Sequence, residues 1–173
     1  EAGERGRNRM TNIAQDPVAY MERTRKYYRA VGYDQDYVWS HFDDVPFAPL
    51  GKALSHCRIG FVTTASPAAG PNFNDKGRKD VWSGPTSPAP DELFTMNVAW
   101  DKESTHTRDR ESFLPIATVG ALAQEGLVGG LAERFHGVPT ESSQSKTIQR
   151  DAPEIVQRLK EDGADAVVLT PLL

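Results

Sequence analysis

The sequence predicts an α/β domain: a mainly parallel sheet in a three-layer arrangement of the flavodoxin or Rossmann type. Three observations carry this. Strand-like and helix-like segments alternate along the chain, as in parallel sheets with helical crossovers. The stretch 165–170 (DAVVLT) is an apolar strand of the buried type, and it follows directly on a helix pattern. The length, 173 residues, suits one domain with a real core. Three strands are clear and a fourth is doubtful, fewer than a doubly wound sheet usually has, so the sheet is expected to be incomplete.

The elements follow in order. Residues 1–15 are polar and read as a disordered or arm-like extension, and 16–173 as a single α/β domain. Asp16 can cap a first helix and Pro17 suits its first turn; Val18, Met21, Tyr28 and Val31 share one face, and Gly32 supplies the stop. Residues 33–50 carry Tyr37, Trp39, Phe42, Pro46, Phe47 and Pro49 at neither helical nor strand spacing, which predicts an irregular aromatic arm. A strand over 58–64 (RIGFVTT) leads into a small-residue loop, 65–71. The loop 72–90 is long for a compact domain, and 93–99 reads as a second strand. A helix is expected to about Gln124, with Pro115 near its start and Gly126 after it. Residues 127–135 fit either a short strand or a turn and helix. Asp151 and Glu154 suggest a capping box for the last helix, with Ile155, Val156 and Leu159 inward and Gly163 closing it.

Composition excludes several classes. A net charge of -4 argues against general nucleic-acid affinity. No apolar run reaches membrane length and no signal-peptide pattern is present, so cytoplasmic residence is the default expectation. The single cysteine, Cys57, excludes an internal disulfide and a cysteine-based zinc site; it precedes the first strand and reads as an inert small hydrophobe.

Candidate chemistry gathers at strand ends. Thr63, Thr64 and Ser66 lie at the carboxyl end of the first strand, where hydroxyls and free N–H groups can bind a carboxylate or phosphate. Asp101, Glu103, His106, Asp109 and Glu111, with Arg108 and Arg110 between them, form an acidic cluster around one histidine. It could serve acid–base or metal chemistry, or be a solvated loop with internal salt bridges. His106 is read as pocket-lining. His136 could face the same cleft or cap a turn. His41 beside Asp43 and Asp44 could be a proton-transfer pair or a loop tie. No Ser-His-Asp spacing, nucleophile elbow, P-loop or dinucleotide fingerprint is visible, and no metal site is assigned.

Six stretches, in this order, carry a family resemblance: 23–28 (RTRKYY), 45–50 (VPFAPL), 62–65 (VTTA), 109–116 (DRESFLPI), 125–129 (EGLVG) and 162–171 (DGADAVVLTP). Together they resemble the selenoprotein B family of the glycine, sarcosine, betaine and D-proline reductases, over roughly 16–173. The resemblance implies reductive cleavage of a bond beside a carbonyl or activated carbon in an amino-acid-like substrate, with a selenolate or thiolate attacking that carbon. It also implies a redox residue just after the strand that ends at Thr170. None of the residues through Leu173 supplies it, and Cys57 is not its equivalent. The expectation is therefore a selenocysteine or cysteine beyond Leu173. Three accounts compete: a selenocysteine codon read as a stop, a missing remainder of the chain, or a natural variant that has become a partner subunit.

Three functions are carried forward. The first is a reductase subunit in which Thr63, Thr64 and Ser66 hold the substrate carboxylate, His106 transfers a proton and Arg110 adds charge. It would be a homo-oligomer, or a hetero-oligomer with a redox partner protein. The second is a non-catalytic subunit that docks through its aromatic arm and an open sheet edge. The third is a hydrolase or metal-dependent enzyme using Asp101, His106, Asp109 and His136.

Overall fold

The computed structural model describes residues 19–36, 38, 40–45, 48–98, 106–141 and 143–172. The expectations for 1–15, Asp16, Pro17, Val18, Tyr37, Trp39, Pro46, Phe47, Asp101 and Glu103 lie outside these residues. Contacts divide the chain into two compact units, Glu1–Asp44 and Val45–Leu173.

In the first unit, α1 (Tyr20–Ala30) buries none of its residues. Glu22 and Lys26 pair one turn apart at 2.6 Å. Gly32, at φ 97°, ends the helix as its sequence predicts. Tyr28 packs edge-on against Tyr27 and Tyr33, with ring centres 5.6 and 5.4 Å apart. Arg29 grips both carboxylate oxygens of Asp36 at 2.7 and 2.6 Å and fixes the chain that leaves the helix.

The second unit is an open, mostly parallel sheet with helices. Its strands are β1 (Arg58–Thr63), β2 (Trp82–Pro85), β3 (Gly130–Leu131), β4 (Arg134–Gly137) and β5 (Ala166–Thr170). β1 is central. β5 pairs parallel along one edge, from Ile59 opposite Ala166 to Thr63 opposite Thr170. β3 and β4 both pair parallel with the other edge. The register slips by two residues between them, so they act as one strand broken by a bulge at Ala132 and Glu133. Thr86 fills the break, its hydroxyl meeting the carbonyls of Ala132 and Glu133 at 2.5 and 3.1 Å. β2 is antiparallel to β4 and closes that side.

Two expectations change here. Residues 93–98, the described part of the expected strand 93–99, do not form one; Phe94 makes only a reciprocal backbone pair with Ser66. The missing strand is β2, inside the stretch expected to be loop. Its Gly84 and Pro85 hide it from propensity, and it extends only because β4 offers an open edge. The ambiguous 127–135 stretch resolves as β3 and the start of β4.

The helices cover opposite faces. α2 (Ile116–Gln124) closes a core of Ile59, Phe61, Phe113, Leu114, Val128 and Phe135. Each fully buried phenylalanine there contributes roughly 2–3 kcal/mol. The other face buries Val62 and Val81 under Ile155 and Leu159 of α4 (Ala152–Glu161). The chain enters α4 through a single turn, α3 (Gln144–Lys146), and a π-helical segment (Thr147–Asp151), so the helical run starts before the expected Asp151. Ser143 caps that start by accepting from the Lys146 N–H at 3.4 Å. Asp151 caps nothing: it is buried and ion-paired with Arg150 at 2.7 Å, while Glu154 pairs with Arg158. Val156, expected on the inner stripe, is turned outward. The terminal strand also departs from the buried type. β5 lies at the sheet edge with alternate residues exposed, Leu169 at 68%.

Close approach at two glycines sets the packing. A methyl group on Gly60 would sit 2.5 Å from Leu159, so glycine is what lets α4 lie against β1. One on Gly137 would sit 1.8 Å from the Trp82 indole nitrogen, whose N–H reaches the Ala65 carbonyl at 3.2 Å.

A buried polar chain joins β2, β4 and the end of α4. Arg158 donates to Ser83 Oγ at 2.8 Å, which leaves the Ser83 hydrogen for His136 Nδ1, also at 2.8 Å. His136 Nε2–H then meets Asp162 Oδ2 at 3.1 Å, and Arg134 clamps the same carboxylate. His136 is fully buried. Burial lowers its pKa, and Arg134 and Arg158 add to this against the opposing pull of Asp162.

The folded chain thus refuses a proton that an unfolded His136 accepts near its ordinary pKa of about 6.5. Stability is full above that pH and is lost as pH falls below it, so the melting temperature should drop between about pH 7.5 and 5.5. His136→Gln should flatten that slope, and an unchanged slope would remove His136 as its source. Gly137→Ala should cost about 2–3 kcal/mol in a denaturant titration by displacing Trp82.

Candidate functional site

A crevice opens past the carboxyl ends of β1 and β4. The chain that leaves β1 runs through β2 before it reaches α2 on the Phe61 face, and the chain that leaves β4 runs through α3 to α4 on the Val62 face. Ligands of open α/β sheets bind outside the carboxyl ends of the strands, and here the chains leaving β1 and β4 border a gap there. The gap lies between β1 and β4.

The three residues predicted at the end of β1 have different fates. Thr63 is buried, and its hydroxyl accepts the Ala65 N–H at 3.2 Å. Thr64 is committed to the chain beyond β5: its Oγ1 donates to the Leu172 carbonyl at 2.9 Å and accepts the Leu172 N–H at 2.7 Å. Ser66 reaches the gap. Its backbone is held by Phe94, and its Oγ accepts from Asn97 Nδ2 at 3.3 Å. Next to Thr63 across the β1–β5 ladder, the Thr170 hydroxyl is buried with no partner among the described residues.

Asn97 spans the gap. Its second Nδ2 hydrogen bond goes to Thr140 Oγ1 at 2.9 Å, so one amide joins the chain leaving β1 to the chain leaving β4. Its Oδ1 is buried and unpartnered among the described residues. Lys79 Nζ donates to the Thr140 carbonyl at 3.0 Å, and Arg150 holds the Lys79 carbonyl at 3.1 Å. Ser66, Thr140, Lys79, Asp80, Asn72 and Trp82 surround a void of about 10 Å³. Asn72 and Trp82 also line an open groove of about 680 Å³ that runs along β2 from Pro67 to Leu93. That volume falls within the range of small-molecule sites. Sequence reasoning found Ser66 by its position after a strand. It did not find Asn97, Thr140 or Lys79: Asn97 lay in the stretch read as a strand, Thr140 had no motif around it, and only Lys79 had a signal, the unusual length of the 72–90 loop.

The other candidates sit elsewhere in the bonding pattern. His106 is exposed, beside Thr107, whose hydroxyl meets that of buried Thr95 at 2.6 Å. Arg110 is spent locally, on the Pro90 carbonyl at 2.5 Å and on Glu111 at 2.7 Å. Glu111 in turn accepts the N–H groups of Ala117 and Thr118 at the start of α2. Burial pushes its pKa up, but Arg110 and those N–H groups outweigh it and hold the carboxyl below its usual range. Asp109 caps the preceding turn. His41 pairs with Asp43 at 3.0 Å, both exposed. His136 neither faces a cleft nor caps a turn; the fold assembles a Ser83–His136–Asp162 chain that linear spacing had concealed. Among the described residues no group of three or more His, Cys, Asp or Glu side chains could hold a metal, and no helix is long and apolar enough to cross a membrane. Cys57 is fully buried, with its Sγ 3.4 Å from the Ala53 carbonyl.

Comparison with known proteins places this geometry in a family. The chain is similar to the D-proline reductase subunit gamma of Acetoanaerobium sticklandii, with 28% identity over 127 residues. The aligned part is 72% of this chain and 52% of that relative, so the chain spans about half the length of the curated relative it matches. No solved structure matches it. Residues 25–172 match the family described as glycine/sarcosine/betaine reductase selenoprotein B, which covers the second half of α1, the whole sheet and the crevice between β1 and β4. With half of the chain far exceeded by that match, and with the stretches that carried the resemblance lying in or overlapping it, the chain belongs to the glycine/sarcosine/betaine reductase selenoprotein B family.

Proposed function

We propose that this chain is the substrate-holding part of a reductase that cleaves a C–N or similar bond in an amino-acid-like molecule. The observation that carries the reading is the β1–β4 crevice, where Ser66, Thr140 and Lys79 converge within a chain of this family. Ser66 contributes to holding the substrate's carboxylate. Thr63 and Thr64 shape the strand end through the bonds described above. His106, exposed on the segment tied down by Thr107, supplies the proton to the departing nitrogen.

The nucleophile comes from outside this sequence. Attack requires a thiolate or selenolate. The one cysteine, Cys57, is buried just before the amino end of β1. A selenol or thiol residue on another segment or a redox partner protein forms the bond to carbon as the C–N bond breaks; a further thiol then attacks that selenium or sulfur, forming an Se–S or S–S bond, and the carbon leaves with the electron pair and takes up a proton, so the two thiol-type groups supply the two electrons. The 173-residue chain with dithiothreitol and D-proline or glycine should release no cleaved product. Turnover by the chain alone would overturn the reading.

A second reading, a docking subunit, is favoured by the edge of β5. Val167 and Leu169 are exposed beside it. The Asp165 N–H points to β1, so Ala166, Val168 and Thr170 turn their backbone groups toward the free edge. Size-exclusion chromatography with light scattering should show association, and a Leu169→Lys variant should reduce it. A clean monomer that captures no partner would count against this reading.

A further inference from the structure

We propose that Ser66 Oγ, Thr140 Oγ1 and Lys79 Nζ form a receptor for a ligand carboxylate, and that Asn97 is the positioning residue that sets the polarity of its two hydroxyls. This deepens the substrate-holding reading and rests on it. A hydroxyl has one hydrogen and two lone pairs. Asn97 Nδ2 donates to Ser66 Oγ and to Thr140 Oγ1, so each oxygen has a lone pair already occupied from the same side. Neither hydroxyl hydrogen has an acceptor among the described residues. Both hydroxyls therefore present their hydrogens away from Asn97, and both residues line the void that Lys79 also borders.

The charge fits. Lys79 gives one hydrogen to the Thr140 carbonyl and keeps two for a ligand. One carboxylate, Asp80, also borders the void. Its Oδ1 is turned to the Val81 N–H at 3.1 Å and its Oδ2 to Asn74 at 3.3 Å, and Arg150 offsets its charge. Arg150 is itself held by Asp151 and by the Lys79 carbonyl. The void, about 10 Å³, admits one atom the size of a water or a carboxylate oxygen. The rest of such a ligand would extend toward the groove that shares Asn72 and Trp82 with it.

Calorimetric titration with D-proline and with D-prolinamide, which differ in that carboxylate, tests the assignment. The wild-type chain should prefer the acid at least about tenfold, as a charge-assisted contact requires. Asn97→Asp accepts hydrogens where Asn97 donates them, and should erase the preference; so should Lys79→Met and Thr140→Val. Thr140→Ser keeps the hydroxyl and should restore it. Asn97→Leu, which adds no charge, should lower it as well, with melting curves used to confirm that each variant is folded. Equal binding of acid and amide by the wild-type chain overturns the receptor alone, and a folded Asn97→Asp variant that keeps the preference overturns the role of Asn97. Binding of neither compound overturns the substrate-holding reading together with it.

Discussion

The structure depends on the burial of β1 from Ile59 to Thr63. Five of its six residues are shut away, and it is paired on both edges, with β3 and β4 on one side and β5 on the other. A strand so placed must have every backbone group bonded and every side chain packed, because an unpaired buried amide costs more than any single surface contact returns. Small residues make this possible. Gly60 admits Leu159 from one face, while Phe61 fills the other. With β1 fixed, the ends of its neighbours are fixed, and the position of every candidate ligand group follows.

The carboxyl end of β1 is tied on both flanks by unlike means. Toward β5 the tie is Thr64, which bonds both backbone groups of Leu172. Toward β4 it is the Asn97 amide. The first consumes a hydroxyl that sequence position alone suggests is free for chemistry. The second recruits one that follows Pro139 and has no motif around it. The buried Ser83–His136–Asp162 chain gives a similar lesson. Its order resembles a catalytic relay, yet Arg158 and Arg134 satisfy both of its ends, and its consequence in this fold is a dependence of stability on pH.

Much of the architecture was legible because it is written in local patterns. Apolar runs marked β1 and β5, and Pro115 with Gly126 bracketed α2. Ser66 was found because ligands gather past strand ends. What escaped is what only tertiary contact decides. β2 is four residues long with Gly84 and Pro85, and becomes a strand because β4 has an edge to offer. Residues 93–99 carry a strand-like composition, but Phe94 bridges to Ser66 and the chain then turns, the Val98 N–H meeting the Thr95 carbonyl. Asp151 resembled a cap, but three residues of α3 and a π-helical segment precede α4, and its carboxylate went to Arg150. Lys79 and Thr140 stand 61 residues apart in sequence and meet only when the sheet forms.

Trp82 gives the crevice a property of its own. Its ring stacks edge-on with Phe135 at 5.3 Å, its N–H is held by Ala65, and it borders both the void and the groove. An indole so placed is a fluorophore at the wall of the cavity. Occupation of the gap would change the polarity around it, and the emission colour of this one side chain would shift with what the protein holds.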